Sequence, residues 1–182
     1  MRGSAEYNDM RHLDMDLDAV TSAKPNARVG GLPAPLIGVA KYWKALAAAH
    51  AENRQTPRWG EFKMTALGEA APYVTILHKY DEQNFAFEFC GSAVSALFGQ
   101  DLTGETMTFQ DGTRAEVNWA ARVAPVMTDG GCHLQEGVAD PPYTSPIDFV
   151  ALDLPLLNPD NDDIGYIVGC TVSVVKQDSN ID

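Results

Sequence analysis

The feature that most constrains this chain is its C-terminal third. Two long runs of strand-forming residues, Ile147 to Leu154 and Ile164 to Val175, flank the hexapeptide Asn158-Pro159-Asp160-Asn161-Asp162-Asp163. An Asn/Asp/Pro cluster of that length is a turn, because those side chains hydrogen-bond their own backbone and Pro fixes φ. The two runs are therefore expected as neighbouring strands, and Cys132 to Val138, after the turn Asp129-Gly130-Gly131, supplies a third. Three consecutive strands do not fit strict strand-helix alternation, so the expected fold class is α+β: an antiparallel sheet with helices on one face.

The front of the chain fits the same plan. Tyr73 to Tyr80 is rich in β-branched and aromatic residues, and Asp81-Glu82-Gln83-Asn84 is a polar turn before a second run. There Phe85, Phe87 and Phe89 alternate with Ala86, Glu88 and Cys90, which predicts a hairpin with the three Phe on one face. Ser92 to Phe98 is bounded by Gly91 and Gly99 and reads as a short helix. Thr113-Arg114-Ala115-Glu116 has capping-box spacing; the helix it starts carries Val117, Ala120, Ala121 and Ala124 on one stripe and ends at Pro125.

Leu36, Val39, Trp43 and Leu46 recur at steps of three and four, giving an N-terminal amphipathic helix within residues 36–56. Its stripe fits equally a face on the chain's own domain or a seam with a second copy, so these four residues are the candidate dimer interface. Residues 1–35 show no sustained period and are expected to be a flexible acidic leader. The main domain is expected over 57–176, with 177–182 a tail.

With 13 Lys+Arg against 25 Asp+Glu the 182-residue chain carries a formal charge of −12. That balance, without a basic cluster, argues against nucleic acid and against an anionic membrane as partners. No apolar stretch is long enough to span a bilayer. Cys90, Cys132 and Cys170 are odd in number and far apart, and Met1 to Ala19 lacks a secretory pattern, so a cytoplasmic protein with reduced thiols is expected.

Chemical motifs are sparse. His12, His50, His78 and His133 have no partners at metal spacing, and no metal site is expected. Asp160 to Thr171 lacks the ligands of a calcium loop at its fifth and twelfth places. No haem or flavin motif occurs, so neither cofactor is expected. Arg54 and Arg58 read as solvated charge, and Cys90 as a small buried apolar residue. No nucleophile elbow or phosphate loop exists, and no catalytic residue is assigned. The alternative is a small cone-shaped α+β enzyme, an isomerase or cyclase, with His78 or Asp153 as base in an aromatic pocket.

Tyr42-Trp43 through Pro57-Arg58-Trp59-Gly60-Glu61-Phe62, then Phe85-Ala86-Phe87-Glu88-Phe89-Cys90-Gly91-Ser92, then Leu97-Phe98-Gly99-Gln100-Asp101-Leu102-Thr103-Gly104, is similar to the PAS-like domains of α-proteobacterial proteins of mostly unassigned function. The resemblance covers roughly residues 40–175. It implies a five-stranded antiparallel sheet flanked by helices, with a small cavity between them. Glu88 departs from it, standing where such domains usually carry a basic residue. The function implied is that of a stand-alone sensory or regulatory domain that binds an unidentified small ligand, a partner protein, or both, and signals through protein-protein contact or as a homodimer. The candidate pocket is Phe87, Phe89, Trp119, Arg122 and Tyr166, with Glu88 outward and Arg122 the anchor for an acidic ligand.

Overall fold

Strand β6 (Ile147–Leu157) is buried on both faces from Phe149 to its end, and that sets the architecture. A strand apolar on both sides needs cover on both sides. The computed structural model of the chain, which describes residues 10–26, 31–49, 55–108, 114–141 and 145–175, provides it. In chain order the other strands are β1 (Arg11–Leu13), β2 (Val74–Lys79), β3 (Asn84–Cys90), β4 (Thr106–Thr108), β5 (His133–Ala139) and β7 (Ile164–Ser173); the helices are α1 (Leu17–Ser22), α2 (Ala34–Ala49), α3 (Ser92–Phe98) and α4 (Arg114–Asp129). Two 3₁₀ segments, Trp59–Glu61 and Met64–Tyr73, lead into β2.

All strand pairs are antiparallel, in the order β1-β5-β6-β7-β2-β3-β4. The expected five strands are the middle of this sheet. The two additions are three-residue edge strands, too short to show a period in sequence. β1 lies in what reads as a leader, and α1 follows it, with Asp16 accepting from the Ala19 N–H at 2.8 Å as its N-cap and Val20 buried. Residues 11–22 are thus part of the folded unit and not a flexible leader.

Helices on one face alone is also corrected. On one face of the sheet α2 lays Leu36, Val39 and Trp43 against Leu152, Leu154, Leu156, Val168 and Cys170. On the other, α3 and α4 cover Leu77, Phe85, Phe87 and Ile167. Leu36 and Val39 are fully buried, and the Trp43 indole N–H donates to Pro155 O at 2.7 Å. Of the two uses open to this stripe, its own domain or a seam between copies, the structure shows the first: it packs on the chain's own sheet, where each large side chain contributes ~1.5–3 kcal/mol. Leu46, one turn further on, is half-buried against the same core.

Helix α4 runs past Pro125, which sits inside it and only withholds one N–H from the ladder; the helix stops at Gly130, whose φ of 69° is the left-handed turn that ends a helix. Its inward residues are Trp119, Ala120, Arg122, Val123 and Val126, a stripe rotated from the expected one, so that Ala121 and Ala124 face solvent. The capping contacts of Thr113 and Glu116, and the side chain of Val117, lie outside the described residues.

Candidate functional site

Two side chains on opposite faces of β3 separate what the sequence placed together. Phe85 and Phe87 pack under α4. Then the register between β2 and β3 shifts: Leu77 pairs with Phe87 but Ile76 with Phe89, leaving Glu88 as an extra residue. Such a bulge turns the strand over, so Phe89 packs on the α2 side while Cys90 lies on the α4 side. Tyr166 also lies on the α2 side. Of the five expected pocket residues the structure brings Phe87, Trp119 and Arg122 together and places Phe89 and Tyr166 across the sheet.

On the α4 side the aromatic rings form a shell. Trp119 meets Phe87 edge-on at 4.9 Å and Phe98 at 5.3 Å, and Phe98 reaches Phe149 at 5.7 Å. Beneath the shell the Arg122 guanidinium lies 4.6 Å from the Trp119 ring centre, a cation–π contact in the interior. Arg122 is 2% exposed and Asp153, on β6, 0%. Nε donates to Asp153 Oδ2 at 2.9 Å and Nη2 to Oδ1 at 2.8 Å, a bidentate pair. Gln135 on β5 holds the same turn of α4 by donating to the Arg122 backbone carbonyl at 2.9 Å. A charge in so dry a place requires this partnering, since desolvation of either ion alone costs several kcal/mol.

The pairing leaves something over. Arg122 Nη1, Thr75 Oγ1 and Thr171 Oγ1 are buried without a hydrogen-bond partner. Gly169 lets the Thr75 hydroxyl and the ion pair share one spot: a methyl group there would lie 2.4 Å from Thr75 Oγ1 and 3.0 Å from both Arg122 Nη2 and Asp153 Oδ1, so only glycine fits. Orphaned donors this deep are unusual, and Arg122 Nη1 together with the Thr75 hydroxyl beside the ion pair marks a place where a further polar group could be met. Cys170, next to Gly169 but facing α2, is a thiol pushed up by burial, against the opposing pull of Arg122.

The α2 side carries a different array. Trp59, Tyr166 and His78 form a stack, with ring centres 4.6 and 4.4 Å apart and planes within 10°. His78 Nδ1 is 3.2 Å from Glu88 Oε1, and the Tyr166 hydroxyl is pushed up by burial and by the Glu88 charge. Half of Glu88 is exposed, outward as expected. His78 and Asp153, the bases of the enzyme alternative, thus lie on opposite faces, and Asp153 is committed to Arg122. Arg58 is not solvated charge: it donates to the carbonyls of Asn158 and Asn161 and pairs with Asp162, clasping the β6–β7 turn. Arg54 lies outside the described residues. The expected hairpin turn is present there, with the Asn158 N–H donating to Asp163 O at 2.9 Å. Among the described residues no group of three or more His, Cys, Asp or Glu is placed to hold a metal, and no helix is long and apolar enough to cross a membrane.

Sequence reasoning found Arg122 but gave it no partner. The signal was Asp153, a lone carboxylate inside Ala151-Leu152-Asp153-Leu154-Pro155-Leu156, since a charge within an apolar strand needs a counter-ion. Thr75, Thr171 and Gln135 were missed. A single hydroxyl in a β-branched strand looks like ordinary strand composition.

A family model described as a PAS domain matches residues 33–172, more than two thirds of the chain. No curated protein matches it.

Proposed function

This chain belongs to the PAS domain family, and from that premise we propose that it is a sensory or regulatory domain that holds a small molecule between its sheet and α4 and passes the signal on through contact with a protein partner. The observation that carries the reading is that Arg122 Nη1 and Thr75 Oγ1 are both buried and unpartnered, with Thr75 set beside the Arg122–Asp153 pair at Gly169. A molecule accepting from Nη1 and reaching the Thr75 hydroxyl would satisfy groups whose isolation costs ~1–3 kcal/mol each.

Transmission follows from how α4 is attached. Arg122 ties it to β6 and Gln135 ties it to β5, so a change in the hydrogen bonds of Arg122 alters where α4 sits on the sheet. On the far face the half-exposed Trp59, Tyr166, His78 and Glu88 offer a polar-aromatic contact surface for the partner.

Native mass spectrometry of the purified full chain tests the reading. A bound molecule, or a neutral or anionic compound that raises the melting temperature of wild type but not of Arg122→Ala, supports it. Occupation of Arg122 Nη1 and Thr75 Oγ1 by ordered water alone in a high-resolution structure, with no stabilising compound found, overturns it.

A further inference from the structure

The paired edge of Arg122, the one best shaped for a carboxylate, is already filled by Asp153. What the guanidinium has left is Nη1, a donor beside a neutralised charge, with the unpartnered Thr75 hydroxyl set against the same ion pair at Gly169. An incoming anion would meet the Asp153 carboxylate within the same desolvated cluster, where like charges repel strongly. An uncharged acceptor meets no such penalty. We infer that Asp153 is a specificity residue: it occupies the guanidinium fork from the sheet side, so that the site takes a small uncharged hydrogen-bond acceptor, a carbonyl, amide or hydroxyl, and refuses carboxylates and phosphates. The inference rests on the proposed ligand-binding role and corrects the expectation that Arg122 anchors an acidic ligand.

Two consequences are specific. The neutral ligand accepts from Nη1 while the Asp153 pair stays intact, so its binding perturbs the Nη1 protons of Arg122. Removing the carboxylate frees the fork, and the site then becomes a receptor for the group it lost.

The test uses the full chain, with acetamide as neutral probe and acetate and formate as anionic probes, each anion compared with chloride at equal ionic strength. Wild type, Asp153→Ala and Asp153→Asn are followed by melting temperature and by the arginine side-chain signals in nitrogen-edited NMR. Wild type is expected to respond to acetamide at Arg122 Nη1 and to show no effect of acetate beyond that of chloride. Asp153→Ala should be stabilised by acetate and formate, with affinity about tenfold or more above wild type, the lower end of what a hydrogen bond to a charged group is worth. Should Asp153→Ala fail to fold, Asp153→Asn keeps the side-chain shape and is expected to show the same inversion of preference. Acetate binding to wild type as tightly as to the variants, or no anion response in a folded variant, overturns the inference. An Nη1 signal in wild type indifferent to acetamide and to every other neutral acceptor would instead count against the binding role itself.

Discussion

Arg122 and Asp153, 31 residues apart in the chain, form one bidentate pair with essentially no exposure to water. Taking two ions out of water offsets most of what their attraction returns, so the pair is costly to break and cheap to replace. Arg122→Ala is expected to lower unfolding free energy by ~3–5 kcal/mol, because it strands a buried carboxylate. The double variant Arg122→Met with Asp153→Leu should lie much closer to wild type. Urea unfolding of the three proteins decides between this and an ordinary packing role, in which the double loss would exceed either single one.

Gly169→Ala should be destabilising by ~1–3 kcal/mol, since the new methyl would press on Thr75 Oγ1 at 2.4 Å. Thr75→Ala removes that atom. The Thr75→Ala, Gly169→Ala pair should therefore recover part of the loss, measurable as a coupling in a double-mutant cycle.

Replacing Trp43 by Glu tests where α2 belongs. With Trp43 bound to Pro155 O inside the chain's own core, the substitution is expected to prevent folding, and Trp43→Ala to cost ~3–5 kcal/mol. Circular dichroism and light scattering would record a folded, monomeric Trp43→Glu protein if the helix instead served only a second copy.

These sites also show how far the sequence could be read. The β6–β7 hairpin, the α3 boundaries and the antiparallel plan were legible because each rests on local pattern: a turn cluster, a glycine bracket, an alternation. The face of Phe89 was not. Phe85, Phe87 and Phe89 keep period two in sequence, and the extra residue that breaks it in space is Glu88, which carries none of the glycine signature that betrays some bulges. The stripe of α2 was read correctly as apolar, while its target depended on β6 being open on a second face, a property of the assembled sheet.

Burial raises the Cys132 thiol to about 12 and pushes the Cys170 thiol up as well. Neutral-thiol burial of this sort stabilises fully below the unfolded value of about 8.5 and is lost as pH rises through the folded value. Iodoacetamide at pH 8 should accordingly leave both thiols unmodified in native protein and label them in denaturant. Rapid labelling of folded protein at Cys132 or Cys170 would contradict it.

Asp129 should govern part of the acid limb. His133 Nε2 at 2.9 Å and the Gly131 N–H, donating at 2.7 Å, hold its carboxyl below the ordinary range. The resulting stability is present above the unfolded value of ~3.9 and disappears as pH falls through the lower folded one. The difference in stability between wild type and Asp129→Asn should thus be steady near pH 5 and shrink below ~4. A gap unchanged down to pH 2 would show that the carboxylate is not held by these partners.

The two three-residue strands that end the sheet, β1 and β4, have a bearing on how crowded solutions of this protein behave. A long bare strand margin invites another chain to add on and propagate a fibre. Among the described residues one margin ends on Arg11–Leu13, with Arg11 bonded to Glu136, and the other on Thr106–Thr108, so each edge strand offers a newcomer three residues of backbone to align with. Encounters between copies meet a formal charge of −12 on each. Short borders and mutual repulsion together keep a β-rich molecule from zipping edge to edge.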